Sequence, residues 1–341
     1  MPRDPDHILA LRLGGIGEVL AVTPSLRAVR RRFSRARITL LAERPACEVA
    51  APWIDDVVVA QGPFRAGGPG ALLRPRFYEE SLRLVERLLR RKYDLFLDFH
   101  HRFAWRHAVK PFLVSLLARA PRRIGFGSGF FLTDPVPDPD DRSMAERNRA
   151  FLEPLGLRVE DTGPILEVSA ADQEWVDALL AALGLAGRPL IAVAPGSSRP
   201  VQRWGADRFR ELAARLAPRG AVVVVGSPDE RGLCDEVAAG RPNLAGRTSL
   251  GRLAGLFRRA SLLVANDSGP LHMAYAVGTP VVGLFRPGEV RRWGSYPDTR
   301  RFRALSREGP GAEQGLTLSL ITVNDVMAAA EDLLRENPPR S

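Results

Sequence analysis

The stretch PGSSRPVQRW sets the hydroxyls of Ser197 and Ser198 beside Arg199, Gln202 and Arg203. Hydroxyls, backbone amides and guanidinium groups together suit an anion with several oxygens, and a phosphate is the simplest such anion. The stretch NDSGPLH points the same way. Pro270 fits the first turn of a helix, Ser268 or Asp267 can cap it, and Gly269 lets the backbone approach a ligand. Amides at that helix start favour an anion, and His272, one turn on, can reach it. Asp267 would repel phosphate, so its expected role is to hold the loop through backbone hydrogen bonds. In GSPDE, Glu230 follows a glycine turn, where it can accept from a ribose hydroxyl or serve only as an acid at a helix start. Together these loops describe a nucleoside diphosphate site. Taken singly, NDSGPLH reads equally well as a capped helix start with a solvent-facing histidine.

A second chemistry is available near the N-terminus. LGGIGEVL places Glu18 at a helix start, directly after glycines that permit close approach. A carboxylate there can act as a general base or merely complement the helix dipole. The glycines match a dinucleotide fingerprint only loosely, because the pattern runs Gly15, Gly17, Leu20 and lacks the third glycine, although Glu43 ends the next strand where a ribose-binding acid belongs. DFHHRFAWRH gathers His100, His101 and His107 among arginines, either to contact an acidic sugar or phosphate or as structural histidines.

Placing such loops requires a repeated strand, turn and helix. The run from Ile8 to Leu13, then ARITLLAE, VVVA and YDLFLDF, read as strands, with an amphipathic helix over EESLRLVERLLRRKY. The segment 61–77, rich in Gly and Pro, reads as an exposed, mobile loop. A second series holds PLIAVAPGSS, AVVVVGSPDE, SLLVANDSGP and TPVVGLFRPGE, four apolar strands that each end in a loop of small residues. Helical stretches separate them, and Ser169 or Asp172 caps the first. The chain therefore reads as two doubly wound α/β halves, joined near residues 160–172. In open α/β sheets ligands sit beyond the carboxyl ends of the strands, where these loops fall. The last helix could return to cover either half, and Trp204 is expected as a core anchor.

A chain of 341 residues with 45% hydrophobic content can build two cores. Its longest apolar runs are far shorter than a membrane span, and MPRDPDHILALRL lacks the charge pattern of a signal peptide. The expected location is therefore cytoplasmic. Cys47 and Cys234 stand alone and read as reduced, packed thiols. The net charge of +10 is nearly all arginine. It suits an anionic membrane face or a phosphorylated substrate, while nucleic-acid-binding motifs are absent from the sequence. The helix within WRHAVKPFLVSLLARAPRR, apolar at its centre and basic at its flanks, is a candidate for peripheral membrane contact or a half-buried helix. The Asp-Pro-Asp triplets at Asp4 and Asp138 read as turns, not metal sites.

The stretches RLGGIGEVLAVTPSLRAVRRRFSRARITLLAE, ARAPRRIGF, AERNRAFLEPLGL, IAVAPGSSRPVQRW, VVVVGSPDE, LAGRTSLGRLAGLFRRASLLVANDSGPLHMAYAVGTPVVGLF and RRWGSY resemble, in this order, the ADP-heptose:lipopolysaccharide heptosyltransferases of glycosyltransferase family 9. The resemblance implies the GT-B architecture, two facing Rossmann-like domains with a cleft between them. It assigns 1–165 to acceptor binding, 166–325 to the nucleotide sugar, and 326–341 to a C-terminal helix and tail packing back on the first domain. It makes Ser197, Ser198, Ser268 and Gly269 donor-phosphate contacts, with Asp267 and His272 in the same pocket. Glu230 falls at the ribose acid and Thr248 beside the adenine. Glu18 falls where the family usually has an aspartate base, and Gln202 where a lysine usually neutralises the donor phosphates. Arg203, Arg199 or Arg286 could replace that charge. Gly15, Gly17, His100, His101 and Arg123 are the acceptor-side candidates.

The reaction so implied is an inverting transfer of heptose or a related sugar from an ADP-sugar to a lipopolysaccharide-core or similar glycan acceptor. The resemblance implies no metal ion and no cofactor. The partners are the donor, a lipid-linked or oligosaccharide acceptor, and an anionic inner membrane. The alternatives are a nucleotide-sugar epimerase with a similar donor pocket, a dinucleotide-dependent oxidoreductase, and a non-catalytic relative altered at positions 18 and 202.

Overall fold

A computed structural model describes residues 3–60, 75–100, 108–127, 130–138, 142–158, 163–296, 298–309 and 316–338. The chain divides into two compact units, Met1–Pro164 and Ile165–Ser341.

In the first unit, β1 (His7–Leu11), β2 (Arg37–Ala42), β3 (Asp56–Val59), β4 (Leu95–Asp98), β5 (Arg122–Phe126) and β6 (Asp134–Val136) form one sheet in the order β3-β2-β1-β4-β5-β6. Every pairing is parallel. The connecting helices are α1 (Ile16–Leu20), α2 (Thr23–Arg32), α3 (Pro75–Leu89), α4 (Val109–Ala118) and α5 (Met144–Leu152). A sheet covered on both faces needs strands without polar alternation, and β1 and β4 are such runs, with Ile8 to Leu11 and Leu95 to Asp98 all buried. Of the expected loop over 61–77, the first fourteen residues lie outside the described ones, and the last three begin α3.

The second unit holds β7 (Leu190–Ala194), β8 (Ala221–Val224), β9 (Ala260–Asn266), β10 (Val281–Leu284) and β11 (Phe302–Leu305) in the order β11-β10-β9-β7-β8, again all parallel. Its helices are α6 (Ala170–Ala182), α7 (Ala206–Leu216), α8 (Arg231–Ala238), α9 (Leu250–Arg259), α10 (Gly269–Ala276), α11 (Glu289–Trp293) and α12 (Val323–Glu336). Ser169 is the residue that caps α6, accepting from the Asp172 amide at 3.1 Å. The edge strand β11, FRAL, is too short and too basic to read as a strand beforehand. The last helix is built into this unit's own core. Thr322 and Asp325 close a capping box at its start, and Val326, Met327, Ala330 and Leu333 pack in one cluster with Ile191, Leu212 and Val264.

These strand orders fix where a ligand can sit. In a doubly wound sheet the crevice opens where successive connections leave in opposite directions. In the first unit that point lies between β1 and β4, and in the second between β7 and β9. The loops at these points are Arg12–Glu18 with Phe99–His100, and Pro195–Arg203 with Asp267–His272.

Candidate active site

The second unit's switch point is held by one buried amide. Asn266, at the end of β9, donates through Nδ2 to the Pro195 carbonyl at 2.7 Å, and its Oδ1 accepts from the Trp204 amide at 3.1 Å. Both ends of the PGSSRPVQRW loop are thereby tied to β9. Trp204 anchors the loop to the core, edge-on to Phe209 and donating from Nε1 to the Ile321 carbonyl at 2.7 Å.

Inside this frame runs a chain of polar side chains. Ser197 Oγ donates to Gln202 Oε1 at 3.2 Å, and Gln202 Nε2 to Asp267 Oδ2 at 3.4 Å. Asp267 Oδ1 faces His272 Nε2 at 3.4 Å, and His272 Nδ1 meets the Tyr296 hydroxyl. Desolvation, followed by the charge of Asp267, holds the Tyr296 hydroxyl well above its ordinary pKa. Tyr296 therefore stays a protonated phenol, able to donate to His272 Nδ1 or accept from it. Two expectations change here. His272 is buried, not solvent-facing. The Asp267 carboxylate binds side chains; it is its backbone amide that secures the loop, donating to the Leu284 carbonyl at 3.0 Å.

Ser268 occupies the position before α10 but does not cap it, because its hydroxyl donates back to the Asn266 carbonyl at 3.1 Å. The start of α10 is thus left without a side-chain cap, with Gly269 and Pro270 in its first turn. Ser198 is exposed on the neighbouring loop. Arg203 is fixed by Nε and Nη2, which donate to the Ser197 carbonyl at 3.0 and 2.8 Å. Arg286 follows β10, the strand beside β9.

Glu230 closes the other side. Its carboxylate accepts from the Ser227 amide at 2.9 Å and lies so close over the PGSS turn that a Cβ at Gly196 would come within 2.2 Å of it. A side chain at 196 would displace the Glu230 carboxylate from the turn. The segment bearing Thr248 joins the same edge, because the Gly246 amide donates to the Gly226 carbonyl at 3.0 Å. Ser197, Gln202, Glu230, Asp267, Ser268, Gly269 and His272 are thus gathered at the carboxyl ends of β7, β8 and β9.

In the first unit, Gly14 takes a positive φ of 126° and turns the chain into α1, with Gly15 just before the helix. The Glu18 side chain folds back over this turn: a Cβ at Gly14 would lie 3.2 Å from its Cδ, and one at Gly15 3.2 Å from Oε2. Side chains at either position would crowd the carboxylate. Arg12 braces the loop, donating to the Glu18 carbonyl at 3.2 Å and the Phe99 carbonyl at 2.8 Å. His100 accepts the Leu13 amide on Nε2 at 2.9 Å and so carries its proton on Nδ1, which donates to the buried Asp98 at 2.8 Å. Both ring nitrogens are engaged, so His100 positions the Glu18 loop in this structure and offers no free donor. Gly17 is buried inside α1.

Other candidates fall elsewhere. Arg123 lies in the amino-terminal half of β5, paired in register with Phe96, and donates to the Phe131 and Ala120 carbonyls at 2.5 and 2.7 Å. It is a clamp within the unit, away from the switch point. His101 and His107 lie outside the described residues. Asp4 is held by Arg32, and Asp138, expected in a turn, is buried opposite Arg147 at 3.3 Å. No group of three or more potential metal ligands occurs among the described residues. Cys47 and Cys234 are unpaired and buried, with desolvation pushing the Cys234 thiol up to about 12. Asn266, Asp98 and Tyr296 received no role from sequence. The first two end strands, as site residues in open sheets do, whereas the pairing of Tyr296 with His272 left no sequence signal.

Two doubly wound units in series, with polar loops at both switch points, are the GT-B class of fold seen in solved glycosyltransferases. A family 9 glycosyltransferase from Veillonella parvula matches with a TM-score of 0.77 and 24% identity, covering 97% of both chains. The Escherichia coli ADP-heptose lipopolysaccharide heptosyltransferase II matches with a TM-score of 0.72 and 23% identity, covering 97% of this chain and 99% of that one. By sequence, lipopolysaccharide heptosyltransferase 3 of Escherichia coli K12 is 32% identical over 58% of this chain and 61% of its own length, so the match spans about three fifths of that relative. The lipopolysaccharide core heptosyltransferase OpsX of Haemophilus influenzae is 23% identical over 91% of this chain and 88% of its own. The family model for glycosyltransferase family 9 (heptosyltransferase) matches residues 81–317. The chain belongs to this family.

Proposed function

We propose that the protein is an inverting, metal-independent glycosyltransferase that moves a heptose, or a closely related sugar, from an ADP-sugar to a lipopolysaccharide-core or similar glycan acceptor. The observation that carries this reading is the second switch point, where the uncapped start of α10 and the PGSS loop are locked together by Asn266. The uncapped helix start, the exposed Ser198 hydroxyl and nearby arginines suit a diphosphate. Glu230 takes the ribose and Thr248 lines the base.

In the reaction, Glu18 accepts the proton of an acceptor hydroxyl as that oxygen attacks the anomeric carbon. The bond from carbon to the ADP oxygen breaks, its electron pair leaves with ADP, and the loops of the second unit receive the developing charge. The acceptor is lipid-linked or an oligosaccharide, and the protein works in the cytoplasm against the inner membrane face. The test is calorimetric titration with ADP, UDP, GDP and ADP-heptose, followed by mass spectrometry of candidate acceptors with and without chelator. Preference for ADP compounds and chelator-resistant transfer support the reading. Preference for UDP would move the protein to another donor class, and ADP binding without transfer to any acceptor would favour a non-catalytic relative, which the exchange of lysine for Gln202 makes a specific alternative.

A further inference from the structure

Ten large apolar side chains are well exposed among the described residues, and seven of them lie on α3, on α4 or at Phe130. Such clustering is unlike the scattered apolar exposure of ordinary surfaces and marks an interaction face. On α4, Val109, Leu113 and Leu116 fall on the side opposite the buried Val114 and Ala118. On α3, Leu82 and Leu89 are exposed at 69% and 43% while Leu84 and Leu88 face the core. The two helices pack side by side, and Arg119, just past α4, donates to the Leu89 carbonyl at 3.2 Å. Phe130, exposed at 84%, adds to the face beside α4, its ring 5.0 Å from that of Phe112.

The charge around this face decides between occupants. On and just beyond α3 and α4, the basic side chains Arg83, Arg87, Arg90, Lys92, Lys110 and Arg119 outnumber the carboxylates Glu79, Glu80 and Glu86, and they include both lysines of the chain. A second copy of the chain would bring like charge against like. An anionic lipid surface would take up the apolar stripe and attract the basic rim together.

We propose that the α3, α4 and Phe130 face docks the protein on an anionic bilayer. Only its biological use, reaching a lipid-linked acceptor, rests on the function proposed above. The test is co-sedimentation of the full chain, without nucleotide, with vesicles of phosphatidylcholine alone or mixed with phosphatidylglycerol. Binding should require phosphatidylglycerol, weaken with salt, and fall roughly tenfold in the L113S/L116S double variant and in F130S. K92E/K110E, which leaves the apolar stripe intact, should lose the phosphatidylglycerol preference. ADP affinity should be unchanged in all of these variants, so failure of the docking proposal and failure of the donor assignment give different results. Equal binding to both vesicle types, undiminished binding by the variants, or self-association abolished by the same substitutions would overturn the proposal.

Discussion

Glu18 carries its carboxylate about one methylene further from the backbone than the aspartate that the family resemblance places at this position, and the glycine turn makes room for that reach. A positioned base contributes about 10²- to 10⁴-fold. Replacing Glu18 by Gln should therefore lower transfer by about a hundredfold or more while leaving ADP affinity within about twofold, because the diphosphate loops belong to the other unit. Steady-state transfer paired with calorimetry checks this, and comparable turnover in the variant would remove Glu18 from the role. Gln202 sits between Ser197 and Asp267, a place where a lysine would meet a carboxylate and, under the proposed function, the donor phosphate. Q202K should tighten ADP binding by roughly threefold to tenfold. Unchanged or weaker binding would mean that Arg203, Arg199 or Arg286 already supplies the charge. The types of these residues, and their place after apolar strands, were legible in sequence. Their partners were not, since Gln202 and Asp267 stand 65 positions apart and meet only because β7 and β9 are neighbours.

The edge of the first sheet is held by charge as well as by register. Asp56 of β3 accepts from Arg37 of β2 and, at 2.7 Å, from Arg91 just beyond α3. Arg37, with Arg91, holds the Asp56 carboxyl down at about 2 against its ordinary 3.8. A carboxyl depressed in the folded state stabilises fully above its unfolded pKa, and that contribution disappears as pH falls through the folded one. Arg37 is more than half exposed, so solvent screening reduces the effect to roughly 1 kcal/mol. D56N should accordingly be less stable than the parent at pH 7, and the difference should shrink between about pH 4 and pH 2. Urea denaturation across that range measures it; a gap independent of pH would refute the assignment. Strand identity here was readable from apolar runs, whereas β11 was not, because an edge strand needs little apolar sequence.

Across the whole molecule, the second unit's core includes its last helix, so the loops proposed to hold the donor and the packing of α12 belong to one cooperative structure. Leu333 is fully buried there. L333A should cost ~2–5 kcal/mol, and ADP at a hundred times its Kd should return about 2.7 kcal/mol to the same transition. Calorimetric scans would disprove the link if ADP raised a transition that L333A leaves untouched. The sequence by itself determined two α/β units, the apolar strands, and the small-residue loops that end them, because backbone hydrogen bonding and burial demand those patterns locally. Only the tertiary structure decided that Asn266 locks the PGSS loop, that both ring nitrogens of His100 brace the Glu18 turn, that Arg123 is a clamp within its unit, and that α12 closes the second core. Each of these depends on which strands become neighbours and which helix face meets which sheet, a choice made by the packing of the entire chain and invisible to any short window of residues.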